Sequence, residues 1–273
     1  MLKTRIFTAA IMLLLFLAAL FYLSAVFWTI LLLALTVAGA WEWSKLAKFS
    51  LTYSITYLLL TAIVGGELLF TLSDAVLSDP YTPLFLWFYV ASSVFWVLGA
   101  PCLLKSNRSI RNPILLSLTG WILLLPTCLA LFQLRAIDPL LLLGFMATVW
   151  ISDTAAYFTG RAWGKRKLAP GISPGKTWEG VAGALVAVTF YAVAWSYIAG
   201  EKAHGLLLVP LLLVLVLMGI IGDLFESLMK RHAGVKDSGN ILPGHGGILD
   251  RIDALTSTLP IAALALLFLQ SEL

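Results

Sequence analysis

Residues 205–231 read GLLLVPLLLVLVLMGIIGDLFESLMKR, and the change of character at Asp223 decides what kind of chain this is. The part before it, 205–222, carries no charged side chain and comes close to the roughly 20 apolar residues that a helix needs to cross a bilayer. Beyond it stand Asp223, Glu226, Ser227, Lys230 and Arg231. If the helix runs on past Gly222, Asp223, Glu226, Ser227 and Lys230 fall at spacings of three and four and share one face. The pattern is a membrane helix that emerges into a charged surface.

Working outward, eight more apolar runs appear, at about 6–23, 25–43, 51–73, 83–104, 113–134, 137–159, 180–199 and 255–270. The expected fold is all-α: a polytopic integral membrane protein of about nine transmembrane helices. Composition agrees, since 60% hydrophobic and 12% charged residues lie outside the range of a soluble globular domain. The first run follows Lys3 and Arg5, shows no clear small-residue cleavage site and is succeeded at once by a second span, so it is expected to stay as an uncleaved helix. Cys102 and Cys128 fall on opposite sides of such a bundle and are not expected to pair.

Basic residues set the orientation, because short cytoplasmic loops retain Lys and Arg. With the N-terminus in the cytoplasm, 16 of the 18 basic residues lie in inner segments, and only Arg135 and Lys202 lie outside. The net charge of +4 then reflects topology and attraction to anionic lipid, and calls for no nucleic-acid partner. Residues 1–134 form a set of N-terminal membrane helices. Residues 135–273 form the expected catalytic half, with two long inner segments, 160–179 and 223–254, dense in Gly, Pro and charge. Long connections in a compact protein are commonly functional.

The second segment continues through Lys236-Asp237 to Pro243-Gly244-His245-Gly246-Gly247 and Asp250-Arg251-Ile252-Asp253. If the last helix begins near Leu249, Asp250 and Asp253 stand three apart in its first turn. Carboxylates from two helix ends then converge at the inner surface. Hard oxygen donors without a cysteine pair suit Mg²⁺ rather than zinc. The glycine turn can bring backbone N–H groups to an anion, with Lys230, Arg231, Lys236 and Arg251 as countercharge. These are the parts that phosphoryl or nucleotidyl transfer requires. Upstream, Asp153 lies inside the sixth span, where a carboxylate is costly and marks a functional candidate. Ser173-Pro-Gly-Lys176-Thr177-Trp-Glu179-Gly180 adds a second phosphate-contacting pair, Lys176 and Thr177, though not at P-loop spacing.

The run from Ser227 to Asp253 fits S-x-x-K-R-x4-K-D-x-G-x3-P-G-H-G-G-x2-D-R-x-D at every fixed position, and so resembles the signature of the phosphatidate cytidylyltransferases. The resemblance covers about the C-terminal half. It implies an Mg²⁺-dependent enzyme of the bacterial inner membrane, with a cytoplasmic-face active site, that transfers CMP from CTP to phosphatidic acid among the membrane lipids. It also implies a homodimer. By that likeness Asp223, Asp250 and Asp253 are the metal ligands, and Lys230, Arg231 and Lys236 join them as catalytic residues. Asp153, Lys176, Thr177, Ser227, Gly244, His245, Gly246, Gly247 and Arg251 bind substrate. Two rival readings stay open: a CTP-dependent lipid kinase, and a transporter, against which the clustering of polar residues at one surface weighs. An alcohol phosphotransferase is disfavoured, since its D-G-x2-A-R run is missing.

Overall fold

The computed structural model describes residues 2–198, 205–241 and 246–271. Among them are nine helices: α1 (Leu2–Tyr22), α2 (Ala25–Leu46), α3 (Leu51–Ser78), α4 (Leu86–Ser106), α5 (Pro113–Ile137), α6 (Pro139–Trp163), α7 (Trp178–Ile198), α8 (Gly205–Ala233) and α9 (Leu249–Ser271). They match the nine apolar runs one for one. Eight, α2 to α9, are long and apolar enough to cross a membrane, and Ala10–Tyr22 of α1 is a shorter apolar helix.

Local chemistry sets the boundaries. α5 and α6 both start as Asx-Pro: the Asn112 side chain accepts from the N–H groups of Ile114 and Leu115, Asp138 accepts from Leu140, and a proline fills the first helical position. Each arrangement satisfies N–H groups that a helix start leaves orphaned. α4 carries a π-turn at Phe95–Gly99, beside Pro101, which has no N–H to continue the regular ladder.

Segment 160–179 departs from the expected loop. α6 continues to Trp163, and the rest forms an antiparallel hairpin of β1 (Lys167–Ala169) and β2 (Ser173–Thr177), pairing Lys167 with Thr177 and Ala169 with Ser173. The Glu179 carboxylate closes it, accepting the backbone N–H groups of Lys165 (3.1 Å) and Arg166 (3.2 Å) from the first turn of α7. Segment 223–254 is shorter as a loop than its sequence range, because α8 runs on to Ala233 and α9 begins at Leu249.

Contacts at the two ends of the bundle establish the up-and-down order. At one end Lys48, after α2, donates to the carbonyl of His232 on α8 (3.3 Å), His232 meets Asn107 after α4 (3.3 Å), and Arg231 reaches Ile172 in the hairpin (3.3 Å). At the other, Gln133 of α5 donates to the carbonyls of Pro80 and Thr82 between α3 and α4. Arg135 joins the same end, bonding the carbonyls of Leu20 and Leu23 and lying 4.8 Å over the Trp28 ring. Arg135 is thus held by helix-end carbonyls and an aromatic face. Cys102 is exposed, Cys128 is buried, and both are free.

Candidate active site

The polar residues gather at the end of the bundle that holds the hairpin and the α8 to α9 connection. A cavity of about 410 Å³ opens there between α6, the hairpin, α7 and α8, lined by Asp153, Tyr157, Arg161, Lys176, Thr177 and Asp223 among others. The Lys176 ammonium pairs with the Asp223 carboxylate across it. The hairpin therefore carries its lysine to an acid 47 positions away. Ser227 donates to the other Asp223 oxygen (3.3 Å), one helical turn on. Thr177 is buried, and its hydroxyl accepts the Gly180 N–H (3.1 Å), so it caps α7 at the cavity wall.

Deeper toward α9 lies a tighter network. Lys230 donates to Asp250 Oδ1 at 2.7 Å and stands 3.4 Å from Glu226. Asp250 Oδ2 accepts from the Ser238 backbone (2.9 Å), the Ser238 hydroxyl (2.9 Å) and the Gly247 N–H (2.8 Å). Asp250, with a side chain 7% exposed, thus pins both ends of the loop that holds the glycine turn. Behind it sits Glu42 of α2, fully buried, a residue absent from every sequence-based expectation. Its carboxylate accepts the N–H groups of Ile248 (3.0 Å) and Leu249 (2.8 Å), and it shares with Asp250 the single proton of the Ser238 hydroxyl, whose oxygen lies 3.0 Å away. A side chain from the N-terminal half therefore caps α9, where the positive end of the helix dipole favours an anion. The close fit requires glycine at 247, because a Cβ there would lie 2.4 Å from Glu42 Oε2.

α8 and α9 cross at Gly222, where a Cβ would sit 2.7 Å from the Asp253 carbonyl. This approach brings Asp253 within electrostatic reach of Asp223, Glu226 and Asp153. Five carboxylates, Asp153, Asp223, Glu226, Asp250 and Asp253, face two ammonium groups, Lys176 and Lys230. Both Glu226 oxygens are buried without a hydrogen-bond donor among the described residues. Five carboxylates against two ammonium groups, with Glu226 buried and having Lys230 at 3.4 Å as its ionic partner but no hydrogen bond among the described residues, fit a hard cation by their chemistry. No three acidic, His or Cys side chains among the described residues are gathered at coordinating distance.

Other expected site residues stand apart. Arg231 is exposed, and its guanidinium bonds the carbonyls of Ile172 and Val235, tying the hairpin to the end of α8. Lys236 is exposed on the segment after α8. Arg251 points to the opposite face of α9 from Asp250 and Asp253 and lines a different cavity. Gly246 and Gly247 adjoin Asp250, while Gly244 and His245 lie outside the described residues.

The Cytidylyltransferase family matches residues 3–269, nearly the whole chain. This chain belongs to that family. The phosphatidate cytidylyltransferase of Pseudomonas aeruginosa is 39% identical to it over 277 residues, covering 96% of each protein. The Haemophilus influenzae protein of the same name is 33% identical over 95% of this chain and 96% of its own length. The Bacillus subtilis one is 49% identical over 112 residues, 41% of this chain. Membership spans both halves of the cytidylyltransferase, including the helix that supplies Glu42.

Proposed function

We propose that this cytidylyltransferase makes CDP-diacylglycerol by transferring CMP from CTP to phosphatidic acid in the membrane. One observation carries the reading: Lys176 meets Asp223 and Lys230 meets Glu226 and Asp250 at the ends of two membrane helices, beside an open cavity. Two polyanions must be brought together there, and fixed cations with cation-holding carboxylates do that.

In the proposed reaction an oxygen of the lipid phosphate attacks the α-phosphorus of CTP. The bond from that phosphorus to the bridging oxygen breaks, and pyrophosphate leaves with the electron pair. The lipid phosphate, with a second pKa near 6, is largely ionised at neutral pH and needs no strong base. Lys176, held by Asp223, and Lys230, held by Asp250 and Glu226, are placed to neutralise phosphate charge. Contacts that tighten as charge moves onto the leaving pyrophosphate raise the rate, whereas uniform binding does not. Mg²⁺ would be held by Asp223 and Asp253 with Glu226 beside them, since Asp250, the third expected ligand, has both oxygens engaged by Lys230, Ser238 and Gly247, and it would supply charge neutralisation and orientation of the phosphates. A second copy of the chain is a further proposed partner, on the family resemblance.

The fate of label tests the reaction. With CTP labelled at the α-phosphate, radioactivity is expected in the lipid phase, dependent on Mg²⁺ and phosphatidic acid, with pyrophosphate released in equal amount. The γ label should stay out of lipid. Label in lipid from γ-labelled CTP, with CDP as the soluble product, would make the chain a lipid kinase.

We also place the site on the cytoplasmic side of the bacterial inner membrane, because the basic residues concentrate at that end. In a chain lacking Cys102 and Cys128, an impermeant thiol reagent is expected to label Ser78→Cys in cells with a permeabilised outer membrane. Lys236→Cys should react only after the inner membrane is opened. Both positions are exposed, at opposite ends of the bundle. Equal labelling of the two from outside refutes the orientation.

A further inference from the structure

A second cavity, of about 680 Å³, lies on the face of α9 turned away from the carboxylates. Ile248, Arg251, Ile252 and Leu255 recur at helical spacing along it, while Asp250 and Asp253 point the other way. α1, α2, α5 and α6 complete its walls through residues such as Phe16, Leu35, Leu131 and Met146. Its volume is that of a small-molecule site, typically about 300–1,000 Å³.

The lining is carbon almost throughout. Thr36 and Thr127 contribute hydroxyls, but both donate to helix carbonyls, Leu32 at 2.8 Å and Leu123 at 2.6 Å. Water there would find few partners, so the cavity suits a hydrocarbon occupant. One end is different. Arg251, the single charged residue of the lining, stands with Ile241 and Ile248 at the level of the catalytic carboxylates. The far end reaches Trp28 and Leu131, toward the opposite end of the bundle. α6 borders both cavities, with Asp153 and Tyr157 on the polar one and Met146 and Trp150 on the apolar one.

We propose that this cavity holds one acyl chain of phosphatidic acid, with the Arg251 guanidinium at its mouth against the lipid phosphate. The inference rests on the lipid acceptor assigned under the proposed function. Its basis is the juxtaposition of a long apolar slot, the Arg251 guanidinium as the one charged group among the described residues of its lining and, one residue away on the same helical turn, the Asp250 network. The slot sets the depth of the lipid and leaves the phosphate at the edge of the site. Arg251 then acts on lipid binding, while Lys176 and Lys230 serve the nucleotide side.

A phosphatidic acid carrying a diazirine at the end of one acyl chain tests this without requiring turnover. With the purified full chain in phosphatidylcholine nanodiscs, crosslinks are expected on the wall formed by Trp28, Cys128, Leu131 and Met146. A tenfold excess of unlabelled phosphatidic acid should remove about nine-tenths of that signal by mass action, while the same excess of phosphatidylglycerol leaves it within about twofold. Leu131→Trp and Met146→Trp, each filling the slot, should each lower the crosslink at least about fivefold. In the same two variants kcat/KM for dioleoyl phosphatidic acid should fall about tenfold, and that for the dioctanoyl lipid should stay within about twofold. Crosslinks confined to Val181 and Ile220 in the polar cavity, or to the lipid-facing side of α3, overturn the proposal. So does equal competition by phosphatidylglycerol. Specific crosslinks in the slot without any CDP-diacylglycerol formed would retain the lipid site and reject the reaction.

Discussion

Asp250→Asn is expected to lower turnover at least about a hundredfold, the scale of removing a preorganised polar group from an active site. The carboxylate serves four donors: the Lys230 ammonium on one oxygen, and two backbone N–H groups with the Ser238 hydroxyl on the other. An amide keeps one acceptor oxygen and turns an NH₂ toward the remaining donors, so one flip faces Lys230 with N–H and the other faces Ser238 and Gly247. In the first orientation Lys230 keeps only Glu226, at 3.4 Å; in the second the loop leading into the glycine turn loses its anchor. Turnover with CTP and phosphatidic acid is the first measurement. Thermal unfolding in detergent is the second, because a side chain this buried also contributes to folding. A folded variant with activity within about tenfold of the parent removes Asp250 from the organising role.

Glu42→Gln should have the next largest effect, although the residue lies some 200 positions before the acids it supports. The glutamate receives two N–H groups at the start of α9 and the Ser238 hydroxyl, each at 2.8–3.0 Å, and it is fully buried. A glutamine must point its NH₂ at one of those donors, which costs about 1–3 kcal/mol for the group left unsatisfied. Loss of the charge at the helix start costs up to about 2 kcal/mol more. A lowered unfolding temperature is expected together with a fall in turnover of at least about tenfold, since Ser238 and Asp250 would shift with the helix start. Unchanged stability and unchanged activity together would show that α9 keeps its position without this cap.

Both variants turn on where information about this fold resides. The nine helices are legible in the sequence because bilayer thickness and hydropathy act locally along the chain. The common face of Asp223, Glu226, Ser227 and Lys230 is legible too, since helical periodicity alone places them together once α8 is known to run on. The hairpin was harder to foresee. Lys167–Ala169 and Ser173–Thr177 are short, and their pairing is held by Glu179, which belongs to the following helix.

Glu42 shows the limit most clearly. It is flanked by Trp41 and Trp43 near the end of α2, and an acid at such a depth is costly enough to have marked it as a candidate. Its partner could not be read from that cost. Arg251 and Arg231 show the reverse: both lie inside the motif, yet one faces the apolar cavity and the other braces the hairpin.

A helical membrane protein, the helices that carry the acids and the family signature can all be read along the chain, because they depend on period, length and residue type. Which carboxylates meet Lys176 and Lys230, which one caps α9, and that Arg251 lines the apolar cavity while Arg231 braces the hairpin follow only from the folded arrangement. Those relations depend on which helices become neighbours and on how closely a Cβ-free Gly222 and Gly247 let them approach.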